Sequence, residues 1–527
     1  MSFVFQIIRQ YPSNFTMKLF IFLSMFGVAF AAAMNGLKMT MSGRGRADRK
    51  PHILHIVADD LGWDDVSWHN PDMITPNLQD LADNGVILDN MYVQTSCSPT
   101  RSSLMSGYYA ANIGAQHLVY KPHRPHGLPT WLTTMPEVLK DNGYTTYGIG
   151  KWHLGYCNDS YVPTNRGFDH FLGFYLGSVD YWSHRTSERG PYGNGKYNGF
   201  DFRDDGEKYE GQGIDGVYTS FLFKDRINKI ISEHDDADPM YMYLAFQLPH
   251  SPVTVPDEYA ALYNDSVTNE ERRIYSGQVT FMDEIIGDVR DALRAAGMWR
   301  NTLVLFHSDN GGDVRHAASN YPLRGNKGTY FDGGIKATAL VYGKGIRRTG
   351  YVNHGMIHAV DVFPTLVEAV GGEIDFEMDG VSAWRTISRG SRSERTGFLI
   401  TVDEDHPETS RAAAIRDGKW KFIEGYPAFR YIETHLSWYP TPYHGDTAEG
   451  TNLPEDPSST TVWLYDMEAD PLEINNVADQ YPNVVASLRA KLDVHRLKTW
   501  TDFPPEDPSC DPALYDGWWT SGWCTIA

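Results

Sequence analysis

Short apolar runs alternate with segments of helical spacing along most of the chain, and that alternation predicts its architecture. His52 to Val57 (HILHIV), Tyr144 to Ile149, Tyr241 to Phe246 and Leu303 to Phe306 read as buried strands, because runs this short, rich in β-branched and aromatic residues, are how strands of a helix-covered parallel sheet appear. Val138 to Lys140 belongs to a helix ahead of the second run. Glu270 to Ala296 places Ile285, Ile286, Val289 and Leu293 on one helical face. Strands alternating with helices predict an α/β fold with a large mixed, mostly parallel sheet flanked by helices. From about residue 397 the pattern changes. Asp417-Gly418 between two strand-like pieces of Ala413 to Ile423 signals a hairpin. Val462 to Tyr465 adds a strand, Asp470-Pro471 a turn, and Pro482 opens a helix over Val484 to Leu497. The expected layout is a large domain over 51–396 and a smaller C-terminal α+β unit over 397–527, an antiparallel sheet plus a helix.

Upstream of these elements, Lys18 precedes an uncharged run from Leu19 to Ala33. The run is too short to span a bilayer comfortably and ends in small residues, so residues 1–33 read as a signal peptide and 34–50 as a polar tether. A soluble protein of the secretory pathway, lysosomal or extracellular, with no stable membrane insertion is the expectation. On that route Asn158-Asp-Ser160 and Asn264-Asp-Ser266 are glycan acceptor sequences. Four cysteines in 527 residues exclude a disulfide scaffold, and a net charge of −21 argues against nucleic acid as a partner. An anionic substrate would have to meet a locally basic pocket.

Ligands of open α/β sheets sit beyond the carboxyl ends of the strands, and the residues that follow each predicted strand converge chemically. Asp59 and Asp60 follow the first, Lys151 and His153 the second, Gln247-Leu-Pro-His250 the third, and Ser308-Asp-Asn-Gly-Gly312 the fourth. Taken singly, each has an ordinary structural reading as a helix cap, a solvated cation or a turn. Together they gather one ammonium, two imidazoles, three carboxylates and an amide at one edge. Asp59, Asp60, Asp309 and Asn310 form a hard-oxygen set suited to Ca²⁺ or Mg²⁺, and no Cys or His grouping has zinc spacing.

The most specific segment is Cys97-Ser-Pro-Thr-Arg101-Ser-Ser-Leu-Met-Ser-Gly107. Ser98 reads as an N-cap, Pro99 as the first helical residue and Gly107 as the stop. Cys97 then stands just before a helix N-terminus, where free N–H groups favour an anion, and Arg101 adds a bidentate oxyanion partner.

Cys97-x-Pro99-x-Arg101 followed by Ser-Ser-Leu-Met-Ser-Gly resembles the signature of the type I, formylglycine-dependent sulfatases. The resemblance continues through Ala58-Asp-Asp-Leu-Gly-Trp63, Gly150-Lys-Trp-His-Leu-Gly155, Gln247-Leu-Pro-His250, Ser308 to Gly312, Gly325-Asn-Lys-Gly-Thr329 and Asp332-Gly-Gly334. It covers roughly residues 51 to 515. Within that family, Ala413 to Lys421, Gly425-Tyr-Pro427 and Asp507 to Pro512 are most similar to the branch acting on N-acetylgalactosamine 4-sulfate. The resemblance implies an alkaline-phosphatase-like fold with the catalytic domain at 51–396. It also implies conversion of Cys97 to formylglycine by the formylglycine-generating enzyme, and one Ca²⁺ held by Asp59, Asp60, Asp309 and Asn310 beside Cys97. Arg101 would secure the formylglycine hydrate, Lys151 and Lys327 would grip sulfate oxygens, and His153 and His250 would handle protons or contact the ester oxygen. The implied substrates are aryl sulfates and sulfated glycosaminoglycan sugars. Of the three remaining cysteines, Cys510 and Cys524 are the expected pair, with Cys157 free. Two rivals stay open: a phosphoester hydrolase of the alkaline phosphatase superfamily, which would want a second metal site, and a catalytically silent glycan-binding protein. Specificity is expected from the loops Tyr175 to Asp205 and Tyr431 to Glu455.

Overall fold

The computed structural model describes residues 49–209, 213–404, 411–429, 436–443, 450 and 459–525. The expected signal peptide, most of the expected tether and most of the Tyr431 to Glu455 loop lie outside them. In chain order the main strands are β1 (His52–Ala58), β2 (Thr145–Lys151), β3 (His170–Phe174), β4 (Arg185–Arg189), β5 (Lys196–Phe200), β6 (Met240–Ala245), β7 (Thr302–Ser308), β8 (Ala339–Gly343), β9 (Gly397–Asp403), β10 (Ala412–Asp417), β11 (Trp420–Glu424) and β12 (Val462–Asp466). The main helices are α1 (Cys97–Ser106), α2 (Thr219–Glu233), α3 (Glu270–Ala295), α4 (Ala359–Ala369) and α5 (Pro482–Arg496).

Five parallel strands in the order β7-β1-β6-β2-β3 form the centre of a ten-stranded sheet. β8 runs antiparallel beside β7, and short strands complete both edges. Both faces are apolar because both are covered. Ile53, Val57, Leu303 and Leu305 pack with Leu104 and Met105 of α1 and Phe363 and Leu366 of α4. Leu54, Ile56, Val304 and Phe306 pack on the opposite face with Ile227 of α2 and Ile285, Ile286, Val289 and Leu293 of α3. The helical spacing read from the sequence is therefore the buried stripe of α3.

β9-β10-β11-β12 form a separate antiparallel sheet, with Gly418 at φ +54° in the β10–β11 turn. It packs with α5 and with Tyr330 and Phe331 from the first part of the chain. A buried charge cluster ties the two parts further. Lys421 Nζ of β11 lies 2.5 Å from Asp332 Oδ1 and 2.7 Å from Glu473 Oε1. Glu473 Oε2 accepts from Asp332 N at 2.7 Å, and Arg324 NH1 donates to Glu473 O at 2.8 Å. The described residues from Pro51 onward group as one compact unit, in which the C-terminal sheet keeps a core cluster of its own.

The disulfide joins Cys157 to Cys524, and Cys510 is a buried free thiol, which corrects the expected Cys510–Cys524 pair. The chain near 522–524 docks onto Cys157: the backbone N–H groups of Gly522, Trp523 and Cys524 all donate to Cys157 O at 2.8, 3.1 and 3.3 Å. Asn158 Nδ2 donates to Cys524 O at 3.2 Å. These contacts bring Cys524 against Cys157, while Cys510 is held in the Pro508–Cys510 turn. The bond closes a sequence separation of 367 residues. Cys157→Ala is therefore expected to lower the free energy of unfolding by about 2–5 kcal/mol, chiefly by freeing the unfolded chain. Denaturant titration of the variant against the parent protein measures it, and an unchanged midpoint would contradict it.

Candidate active site

The carboxyl ends of β1, β2, β6 and β7 meet because the parallel register aligns them. Ala58 pairs with Ser308, Val57 with Ala245 and Ala245 with Gly150. The residues immediately beyond these positions are Asp59, Asp309, Phe246 and Lys151. The close fit depends on glycine. A Cβ on Gly150, which has φ +107°, would lie 1.9 Å from Ala245 O, and one on Gly173 would lie 1.8 Å from Gly150 O. Asp60 and His153 adopt φ +62° and +56°, a left-handed backbone uncommon for non-glycine residues and concentrated at functional sites.

α1 begins at Cys97 with Ser96 in the N-cap position, two residues earlier than the sequence suggests. Ser98 is not the cap. Its hydroxyl donates to His153 O at 2.9 Å and accepts from Tyr120 N at 3.1 Å. Gly107 ends the helix at φ +75°, as expected.

Every predicted site residue falls in one cluster. Cys97 Sγ donates to Asp59 Oδ1 at 3.6 Å. Lys151 Nζ donates to Asp59 Oδ2 at 2.5 Å, and Lys327 Nζ donates to Asp60 Oδ2 at 2.8 Å. Arg101, fully buried, donates through Nε and NH2 to Asp309 Oδ2 at 3.0 and 2.8 Å and through NH1 to Lys151 O at 3.2 Å. Asn310 Nδ2 donates to Asp60 Oδ1 at 2.7 Å. Three carboxylates and three cations therefore balance one another out of water, the condition on which buried charges are tolerated.

Asp59, Asp60, Cys97 and His250 each offer a ligand atom, and these atoms all lie within 4.8 Å of one another. His250 is the member the sequence did not assign to a metal; its Nε2 lies 3.6 Å from Asp60 Oδ2. Asn310 Oδ1 is buried without a hydrogen-bond partner, and such an orphaned acceptor among carboxylates suits a hard cation. Asp309 offers less, since Arg101 occupies its Oδ2 and Asp60 N donates to its Oδ1 at 3.3 Å.

Burial sets the protonation of the site. It pushes the Cys97 thiol up to about 12 although Lys151 and Lys327 oppose it. It pushes His250 down to about 3 against the pull of Asp60, and His153 well below the usual imidazole range with help from Lys151 and Arg101. Burial opposes ionisation of Asp60, yet Lys327 and His250 hold it well below the usual carboxylate range. Thiol and imidazoles are thus neutral beside the ionised Asp60.

Beneath this edge lies a polar chain that sequence reading missed, since His55 and His307 sit inside apolar strands. His307 Nδ1 lies 2.9 Å from Ser308 O, which can only accept, so Nδ1 carries the proton. His307 Nε2 then accepts from His55 Nε2 at 2.9 Å, leaving His55 Nδ1 to accept from Tyr241 OH at 3.2 Å. Burial keeps both rings neutral.

A cleft of about 1020 Å³ opens onto the cluster, with Cys97, His153, His250 and Lys327 at its floor. It is lined further by 118–123, 188–190, Tyr192, Gly193 and Glu506, and by Asp313, Arg315 and His316. The loop Tyr175 to Asp205 thus reaches the cleft, as its predicted part in specificity requires. The contribution of Glu506 carried no sequence signal, because it is a fold-level contact of a distant segment.

The sulfatase family model matches residues 51–372. Mouse arylsulfatase J is 34% identical over 491 residues, covering 89% of this chain and 80% of its own. Human N-acetylgalactosamine-6-sulfatase is 28% identical over 415 residues, covering 74% and 75%. Among solved structures, Ps i-CgsB in complex with k-i-k-neocarrahexaose superposes with a TM-score of 0.70 at 23% identity, covering 88% of this chain and 97% of that one, and so shares the fold. The family match, the extent of these likenesses and the gathered strand ends agree: the chain belongs to the sulfatase family, enzymes that hydrolyse sulfate esters.

Proposed function

We propose that this sulfatase removes sulfate from carbohydrates by formylglycine chemistry at Cys97, with one Ca²⁺ beside it. The observation that carries the reading is the setting of Cys97: a buried thiol at the cleft floor, at a helix N-terminus, with Lys151 and Lys327 close by. A thiol pushed up to about 12 is almost entirely protonated at neutral pH and makes a poor nucleophile. Oxidation to the aldehyde removes that obstacle, because its hydrate offers one hydroxyl to attack sulfur and a second to expel sulfate.

Asp59, Asp60 and Asn310 would hold the ion, with Asp309 completing the set; when bound, Ca²⁺ supplies positive charge to sulfate oxygens and to the hydrated aldehyde. Arg101 fixes Asp309 and the strand end of Lys151. Lys151 and Lys327 meet the equatorial sulfate oxygens, where charge grows as sulfur is attacked. His250 has its Nδ1 proton committed to Ser251 O at 2.6 Å, so its Nε2 is the ring atom open to the substrate, and with burial pushing the ring down to about 3 it acts there as a neutral acceptor. His153 contacts the ester oxygen that departs, and that oxygen takes up the proton the attacking hydroxyl gives up as the S–O bond breaks. Lys327→Ala is expected to lower kcat/KM for an aryl sulfate by a factor on the order of 10². A rate within twofold of the parent would remove Lys327 from the sulfate contact.

Sulfated glycosaminoglycan sugars, N-acetylgalactosamine 4-sulfate first among them, are the proposed substrates, and the formylglycine-generating enzyme is the maturation partner. Among the described residues no helix is long and apolar enough to cross a membrane. Asn264 is exposed and free to carry a glycan, in keeping with a secreted or lysosomal protein. Parallel assays with umbelliferyl sulfate and umbelliferyl phosphate test the reading, together with mass spectrometry of the peptide containing Cys97. Sulfate turnover with a converted cysteine supports it; preferential phosphate turnover, or full sulfate turnover by an unconverted thiol, overturns it.

A further inference from the structure

The cleft is larger than its chemistry needs. At about 1020 Å³ it lies at the upper end of the range that encloses a whole small-molecule ligand, yet the sulfate-handling groups occupy only its floor. Its far wall is built from two distant segments clamped together. The β4–β5 hairpin ends in Tyr192, whose backbone N–H donates to Glu506 Oε2 and whose hydroxyl donates to Glu506 O at 2.7 Å. Glu506 is itself fixed from the other side, with Oε1 at 3.1 Å from Arg124 NH2 and 3.3 Å from His123 Nε2. Arg124 also donates to Pro504 O at 2.8 Å and lies 4.1 Å over the ring of Phe503. Three segments therefore converge: the hairpin tip, residues 121–124 and the stretch of chain at 503–506.

What this assembly presents is suited to a sugar ring. Tyr192 is 68% exposed and holds φ +53°, a conformation with a steric cost that its two bonds to Glu506 offset. Its ring offers a flat apolar face to the C–H face of a pyranose, while its hydroxyl stays bonded. Lys121 and Arg189 line the same stretch with Glu188, giving charged partners for hydroxyl, carboxylate or sulfate groups.

We propose that this wall is a second sugar-binding subsite, which takes the unit next to the sulfated one, and that the Tyr192–Glu506 clamp sets a preference for oligosaccharides over a lone sulfated sugar. The proposal rests on the carbohydrate sulfatase reading and names the part of the site that would read chain length.

Calorimetric titration of the purified full chain with N-acetylgalactosamine 4-sulfate and with a chondroitin 4-sulfate tetrasaccharide tests it. The tetrasaccharide is expected to bind at least about tenfold more tightly, and Glu506→Gln and Tyr192→Ala are each expected to remove about that advantage. Equal affinity for the two sugars in the parent protein overturns the proposal, as does a tetrasaccharide advantage that survives both substitutions. A variant that weakens both sugars alike, or that lowers the thermal midpoint substantially, assigns the clamp to general structure and also overturns it. Because binding is read directly, loss of umbelliferyl sulfate turnover in the parent would sink the sulfatase mechanism without deciding this subsite.

Discussion

Cys97→Ala is expected to reduce umbelliferyl sulfate hydrolysis to background, a loss on the order of 10⁵ to 10⁶ in kcat, the scale seen when a covalent nucleophile is removed. Folding should survive the change. The side chain is small, and its sulfur makes only a weak contact at 3.6 Å with Asp59, while α1 keeps its cap, its stop and its packing through Leu104 and Met105. The yield of folded protein and its thermal midpoint should therefore stay close to those of the parent protein. Cys97→Ser sharpens the test. A serine hydroxyl can attack sulfur but has no second hydroxyl to release the bound sulfate, so one turnover followed by arrest is the expected record in a burst experiment. Steady turnover by either variant refutes the assignment.

Lys421→Met is expected to destabilise the protein by about 3–5 kcal/mol, the cost of leaving buried carboxylates without their cation. Lys421 is fully buried, with Asp332 and Glu473 at 2.5 and 2.7 Å. Glu473 is already pushed up to about 7 by burial and the Asp332 charge, against the Lys421 ammonium and the backbone N–H that Asp332 donates to it. Combining Lys421→Met with Glu473→Gln removes one of the stranded charges and should restore part of the loss. Denaturant midpoints for both measure this; a single variant within 1 kcal/mol of the parent would mean that the cluster is solvated in practice.

These two residues illustrate what the sequence made legible. Cys97 was legible because its motif is local: proline, arginine and a terminal glycine at fixed offsets lie within eleven residues. The strands carrying Asp59, Lys151, His250 and Asp309 were legible as apolar runs, and the rule that ligands gather beyond strand ends did the rest. Lys421 also stood in a recognisable motif, but its partners come from Asp332 and Glu473, far away in the chain, and no local pattern encodes such a meeting. The same reason hid the Cys157–Cys524 bond and the wall at Glu506. The β4–β5 hairpin left little hydrophobic trace because its residues are mostly exposed or half-buried and its two buried positions are Thr186 and Gly199. β8, which runs antiparallel beside the parallel centre, was not named as a strand; the expected mixed sheet allowed for it, but an apolar run does not state its direction.

The His55–His307 pair gives the site a spectroscopic voice of its own. With each imidazole locked into one tautomer by a one-way chain from Tyr241 to the Ser308 carbonyl, the four ring nitrogens should resonate as two protonated and two bare species. Any ligand that shifts β7 by a few tenths of an ångström would retune those lines, so occupancy of the cleft becomes readable in solution without turnover.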